Sequence, residues 1–128
     1  MTTKLAWNQF NKMPYDTFKW RGIDGTEILT HLVTTLGVGQ SENDFFTTYN
    51  GILHPDALIG GWHRYQQKDI NNDILISYGY GDGGGGSTPE LVETFRRLKY
   101  GLPGMPKAEM SFAADFLDKV EDNFNKNC

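Results

Sequence analysis

Cysteine is almost absent from this chain. The one thiol, Cys128, is the final residue of 128, which excludes an internal disulfide framework and any structural zinc site built on cysteines. Long apolar runs are missing too: none approaches the length needed to cross a bilayer, and no apolar segment of signal-peptide type follows Met1. The expectation is a cytoplasmic protein with no membrane partner. Positive charge is also in short supply. Twelve Lys and Arg against sixteen Asp and Glu give a net charge of −4, and only Arg96, Arg97 and Lys99 lie close together, on a solvated helix face. That balance speaks against a nucleic-acid partner, which calls for a basic patch or stripe.

What the chain does have is aromatic and apolar material. Hydrophobic residues make up 38% and aromatic residues 13%, enough to bury a core, and the length suits one domain. No repeat or linker divides residues 1–128.

Local patterns give an order of elements. Residues 17–21 and 26–34 are rich in β-branched and aromatic side chains, with Gly22-Ile23-Asp24-Gly25 between them as a turn. The nearly unbroken apolar character of the second run predicts a strand buried on both faces. Residues 37–50 are polar and carry no assignable pattern. His54-Pro55-Asp56 reads as a helix entry, followed by Leu58, Ile59, Trp62 and Tyr65 at helical spacing, although Gly60-Gly61 weakens that helix. Residues 74–78 (Ile-Leu-Ile-Ser-Tyr) read as a buried strand. Thr88-Pro89-Glu90 supplies a cap, a first-turn proline and an acid at the positive end of a dipole, so a helix starts there and ends at Gly101-Leu102-Pro103-Gly104. A last helix is expected over about residues 107–123, with Met110, Ala113, Leu117, Val120 and Phe124 on one face. This order predicts an α/β layer architecture.

Between the strand at 74–78 and the helix at 89 lies the most unusual segment. Six of the eight residues from Gly79 to Gly86 are glycine, and they surround one carboxylate, Asp82. Glycine tolerates positive φ and close backbone approach, but its freedom is lost on folding, so such a loop suits a site. Three readings follow. Gly79-x-Gly81-x-x-Gly84 matches a dinucleotide-binding pattern, yet Asp82 would repel the pyrophosphate, and Lys99 and Tyr100 stand where a ribose-binding acid belongs. Gly81-x-x-x-x-Gly86-Ser87-Thr88 has the spacing of a phosphate-binding loop, with Ser87 in place of its lysine. A flexible loop with a solvated acid is the second reading. The third is a catalytic carboxylate at the C-terminal end of a strand, where α/β folds place them.

Several blocks then resemble one family. Trp7-Asn8-Gln9-Phe10-Asn11-Lys12, Phe18-Lys19-Trp20-Arg21-Gly22-Ile23-Asp24-Gly25-Thr26-Glu27-Ile28-Leu29-Thr30-His31 and Gly79-Tyr80-Gly81-Asp82-Gly83-Gly84-Gly85-Gly86 are similar to α-mannosidases of glycoside hydrolase family 38, in its cytosolic, vacuolar and bacterial branch. Arg96-Arg97-Leu98-Lys99 and Gly101-Leu102-Pro103-Gly104 extend the likeness over nearly the whole chain. The resemblance implies a retaining hydrolase of α-mannosides whose catalytic domain is a seven-stranded β/α barrel, with zinc as cofactor, an Asp nucleophile and a second Asp as acid then base.

By that resemblance Asp82 matches the acid/base position or its immediate neighbour, because some members carry two adjacent acids where Gly83 follows here. Lys4 matches a place where other branches hold a basic residue near the nucleophile. Asp24 is either a hydroxyl-binding or supporting residue or an ordinary turn Asp, and Tyr80, like Trp20 and Trp62, could stack on a sugar face. His31, in mid-strand, reads as a packed, hydrogen-bonded histidine rather than a ligand, and His54 and His63 as surface or helix-end residues. The family's His-x-Asp zinc motif and its nucleophile segment do not occur in this sequence. The chain is therefore expected to be an internal, partial piece of the barrel domain. Zinc ligands would lie outside it, it would be inactive alone, and its uncovered barrel faces would allow self-association. The alternatives are a non-catalytic carbohydrate-binding or interaction module and a nucleotide-binding domain using the glycine loop.

Overall fold

The computed structural model describes residues 11–37, 40 and 48–128. Two strands and three helices follow one another: β1 (Thr17–Arg21), β2 (Glu27–His31), α1 (Pro55–Arg64), α2 (Pro89–Leu98) and α3 (Ala113–Asn127). Among the described residues this is a small mixed α/β structure whose one sheet has two strands. The seven-stranded barrel is therefore not what these residues display by themselves.

β1 and β2 pair antiparallel with Thr17 opposite His31 and Arg21 opposite Glu27. The turn between them closes through Gly22 N–H to Thr26 O (2.8 Å) and Gly25 N–H to Gly22 O (3.0 Å), with Gly25 at φ 85°. The hairpin forms where the turn residues predict it, but its second strand is shorter and more open than expected. Only the end of β2 is buried, and the apolar residues beyond it, Leu32, Val33 and Leu36, are buried without strand pairing. Among the described residues β1 is the one strand paired with β2, so the ladder does not continue past its other edge.

The end of the hairpin sits on a polar core. Thr17 Oγ1 lies 2.9 Å from His31 Nδ1 and 2.8 Å from the Tyr65 hydroxyl. Gln67 Oε1 accepts from the backbone N–H of Asp16 and Thr17, while its Nε2 donates to Thr17 O. Phe116 of α3 meets the His31 ring edge-on at 5.0 Å, and Tyr65 lies tilted against it at 5.5 Å. His31 is thus the packed, hydrogen-bonded residue that its sequence position suggests.

α1 is capped by His54, whose Nδ1 accepts from Asp56 N–H at 3.2 Å. One of its two internal glycines, Gly61, has a packing reason. A Cβ on Gly61 would stand 3.0 Å from Ile74 Cδ1, and the Gly61 carbonyl accepts from Thr34 Oγ1 at 2.8 Å, so this face of the helix lies close against its neighbours. α2 is capped by Thr88, which accepts from Leu91 N–H at 3.3 Å. It brings Leu98 to Leu53 and Leu58, against which Ile76, Tyr78, Leu91, Phe95, Met105 and Ala108 pack.

Two expected elements differ. Residues 74–78 form no regular strand: they are half-buried, and only Tyr78 bridges, in parallel, to Gly51. A ladder needs a continuous partner, and the described residues supply one bridge. The last helix starts at Ala113 rather than near 107 and runs on to Asn127, burying Phe116 and Val120. The stretch before it is used otherwise. Met105 and Ala108 pack on the Leu98 core, and the Met110 sulfur lies 3.8 Å from the Tyr78 hydroxyl.

Candidate active site

The glycine-rich segment is a closed loop. Tyr80 N–H donates to Gly86 O (2.8 Å) and Gly86 N–H to Tyr80 O (2.7 Å), so residues 81–85 form its tip. A second pair of bonds anchors its base: Gly51 N–H to Ser77 O (3.0 Å) and Gly79 N–H to Gly51 O (3.3 Å). Glycine is required at Gly79, which has φ 114° and whose Cβ would come within 2.9 Å of the Gly86 backbone. The sequence-based view of a segment with fixed ends holds, although a bridge and a cap fix them rather than a full strand.

Asp82 stands on this tip with φ 57°. Among the described residues it is the one non-glycine in the left-handed region, a conformation that short polar side chains tolerate best. Its carboxylate is exposed but held. Oδ1 accepts a hydrogen bond from the Tyr49 hydroxyl, and Oδ2 accepts from Asn50 Nδ2 at 3.3 Å. The bond to Asp82 raises the Tyr49 phenol above its usual range, helped by some loss of solvent and by the Asp82 charge. The phenol therefore keeps its proton at neutral pH.

Gly81 makes this arrangement possible. A Cβ there would collide with Asn50 Oδ1 and stand 2.7 Å from Tyr49 Cε2. Tyr49 and Asn50 come from a region with no pattern in the sequence, and reading the sequence missed both. The available signal was Tyr49-Asn50-Gly51, an Asn-Gly pair of the kind that marks a turn, directly after an aromatic.

The other sequence candidates are not gathered here by hydrogen bonds. Asp24 is at the hairpin turn, where Oδ1 accepts from Thr26 N–H and Oδ2 from Thr26 Oγ1, both at 3.0 Å. Those bonds hold its carboxyl below the usual carboxylate range. Tyr80 is on the same loop as Asp82, with an exposed ring and its backbone locked by Gly86. Lys4 lies outside the described residues. Of the aromatics, Trp62 packs on Tyr65 and Trp20 on Phe18. Among the described residues no three His, Cys, Asp or Glu side chains stand together as a metal site would require. Among the same residues, no helix is long and apolar enough to cross a membrane.

Known proteins match this chain over most or all of its length. The Glycosyl hydrolases family 38 N-terminal domain matches residues 1–128. The sequence is 35% identical to "Alpha-mannosidase G" of Dictyostelium discoideum over 126 residues, 98% of this chain and 10% of that protein. It is 33% identical to "Alpha-mannosidase" of Saccharomyces cerevisiae over 99 residues, 77% of this chain and 8% of that protein. "Alpha-mannosidase 2C1" of Homo sapiens is 28% identical over 128 residues, 100% of this chain and 11% of that protein. The chain thus spans about a tenth of the length of these relatives.

Proposed function

Since the chain belongs to glycosyl hydrolase family 38, through that family's N-terminal domain, we propose that it is the part of a retaining α-mannosidase that contributes the proton-transfer carboxylate, Asp82. The observation that carries this reading is the held position of Asp82. Its carboxylate stands at the tip of a closed glycine loop in a left-handed conformation, with the Tyr49 hydroxyl donating to one oxygen and Asn50 Nδ2 to the other. Unusual backbone at a polar residue is where a functional role is to be sought.

The chemistry assigned to Asp82 has two halves. In the first, the protonated carboxyl gives its proton to the glycosidic oxygen as the bond from that oxygen to C1 breaks, while a second carboxylate attacks C1 from the opposite face. In the second, the Asp82 carboxylate takes a proton from water as the water oxygen attacks C1 and releases the second carboxylate. Retention requires the two carboxyl groups to stand only about 5–5.5 Å apart. The nucleophile, the zinc ligands and the remaining strands of the seven-stranded barrel belong, in this reading, to the parts of the enzyme outside this chain. Tyr80, exposed on the same loop as Asp82, has in this reading the role of stacking on the sugar face. Asp24 and Lys4 have supporting roles toward substrate, and the enzyme acts in the cytoplasm. Trp20, Ile23 and Ile28 are exposed on the hairpin, and in the isolated chain such apolar surface favours association with a second copy.

The test compares the 128-residue chain with the full-length enzyme, each with zinc supplied, on an aryl α-mannoside and on a mannoside with a poor leaving group. The isolated chain turns over neither. Asp82→Asn in the full-length enzyme lowers kcat on the poor leaving group by roughly 10²–10⁴-fold, and less on the activated substrate. An Asp82→Asn enzyme with normal kcat on the poor leaving group removes Asp82 from this role. Full turnover by the isolated chain would show that it needs no other part.

A further inference from the structure

We infer that Tyr49 and Asn50 are positioning residues for Asp82, holding its carboxyl at one place in both of its protonation states. This rests on the reading of Asp82 as the group that gives and takes the proton.

Asp82 is exposed. A carboxylate at the tip of a glycine loop has rotational freedom that proton transfer cannot use, since a misplacement of about 1 Å can cost roughly 10²-fold in rate. Here two side chains reach it from 32 and 33 residues earlier in the chain. Their approach is built in. The parallel bridge between Gly51 and Tyr78 fixes the residue next to Asn50 against the base of the loop, and Gly81 has no side chain to block either donor.

The chemistry of the two holders suits a group that changes charge. A phenol can donate to a carboxylate and can accept from a carboxylic acid. The raised Tyr49 keeps its proton available for the first of these. Asn50 donates through Nδ2, while its Oδ1 is buried, faces Gly81 and has no hydrogen-bond partner among the described residues. Half a turn of that amide exchanges the two atoms. Oδ1 then meets Asp82 Oδ2, where it accepts the proton of the neutral acid. The acceptor left idle when Asp82 is ionised is the one needed when Asp82 is protonated. A retaining cycle passes through both forms once per turnover.

The experiment uses the full-length enzyme with Tyr49→Phe and Asn50→Ser, and Asp82→Asn beside them. Tyr49→Phe removes a donor to the carboxylate, so the protonated form is favoured. The alkaline limb of the kcat/KM profile then moves to higher pH, by about half a unit or more. kcat falls roughly 10- to 100-fold in each variant, with KM within about twofold, because the bonds act on the reacting group and not on ground-state binding. Thermal melting confirms that the variants are folded, and Asn50→Ser stands as the second probe if Tyr49→Phe does not fold. Unchanged kcat and an unmoved limb, or a rise in KM alone, overturn the inference. An intact Asp82→Asn enzyme overturns it together with the role of Asp82. An impaired Asp82→Asn with silent Tyr49→Phe and Asn50→Ser overturns only the positioning role.

Discussion

Two clusters in this molecule are built alike and placed differently. Thr17, His31 and Tyr65 are joined by two side-chain hydrogen bonds, and so are Tyr49, Asn50 and Asp82. The first lies under the hairpin, with Tyr65 fully buried and Thr17 at 2% exposure. The second surrounds an exposed carboxylate on a loop. Away from water a hydrogen bond whose partner is lost strands a polar atom, whereas at the surface water replaces the partner. The buried cluster therefore governs stability, and the exposed one is free to serve chemistry.

The largest effect expected to sharpen this contrast is in pH dependence. Burial lowers His31 to about 4 from an ordinary value of 6.5, so the folded protein keeps the ring neutral. The unfolded chain takes up a proton below pH 6.5 that the folded one refuses until near 4. Stability from this residue is thus complete above about pH 6.5 and is lost as pH falls toward 4, by about 3 kcal/mol in all. Asp16, which burial raises, contributes in the opposite direction, its share fading as pH rises above the usual carboxylate range. Hydrogen-exchange protection of the Thr17 and Leu32 amides between pH 7 and 4, with His31→Gln for comparison, reads the effect. Protection as steep in His31→Gln as in the wild type would break the link to this ring.

Next in size is Thr17→Val. It keeps the shape and the backbone bonds to Gln67 but takes the hydroxyl from both His31 Nδ1 and the Tyr65 hydroxyl. Loss of about 2 kcal/mol is expected from the stranded atoms. The same amides report it in the full-length protein, whose kcat stays near that of the wild type. An equal loss of kcat would show that the two clusters are coupled.

The clusters also differ in how far the sequence revealed them. The hairpin turn, the entries of α1 and α2 and the packed character of His31 follow from local chemistry: an Asp-Gly turn, a proline after a capping residue, a histidine among apolar neighbours. Asp82 was marked by its glycines for the same reason. Tyr49 and Asn50 were not, because their role depends on a contact across more than thirty residues that no periodicity records. Residues 74–78 misled in the other direction. Their composition fits a strand, but a strand exists only through its partner, and one bridge is what the described residues provide.

The smallest expected effect is the sharpest test of the comparison. Asp82→Asn retains a residue that accepts the left-handed conformation and a side chain that Tyr49 can still bond. At an exposed position such a change alters stability by less than about 0.5 kcal/mol, even though the proposed chemistry suffers by orders of magnitude. Thermal or denaturant midpoints of the full-length protein, measured beside its kcat, separate the two quantities. A large loss of stability in Asp82→Asn would mean that the loop, like the cluster beneath the hairpin, is held together by its polar bonds. It would then be a structural element, and the division between a region that stabilises and a region that reacts would fail.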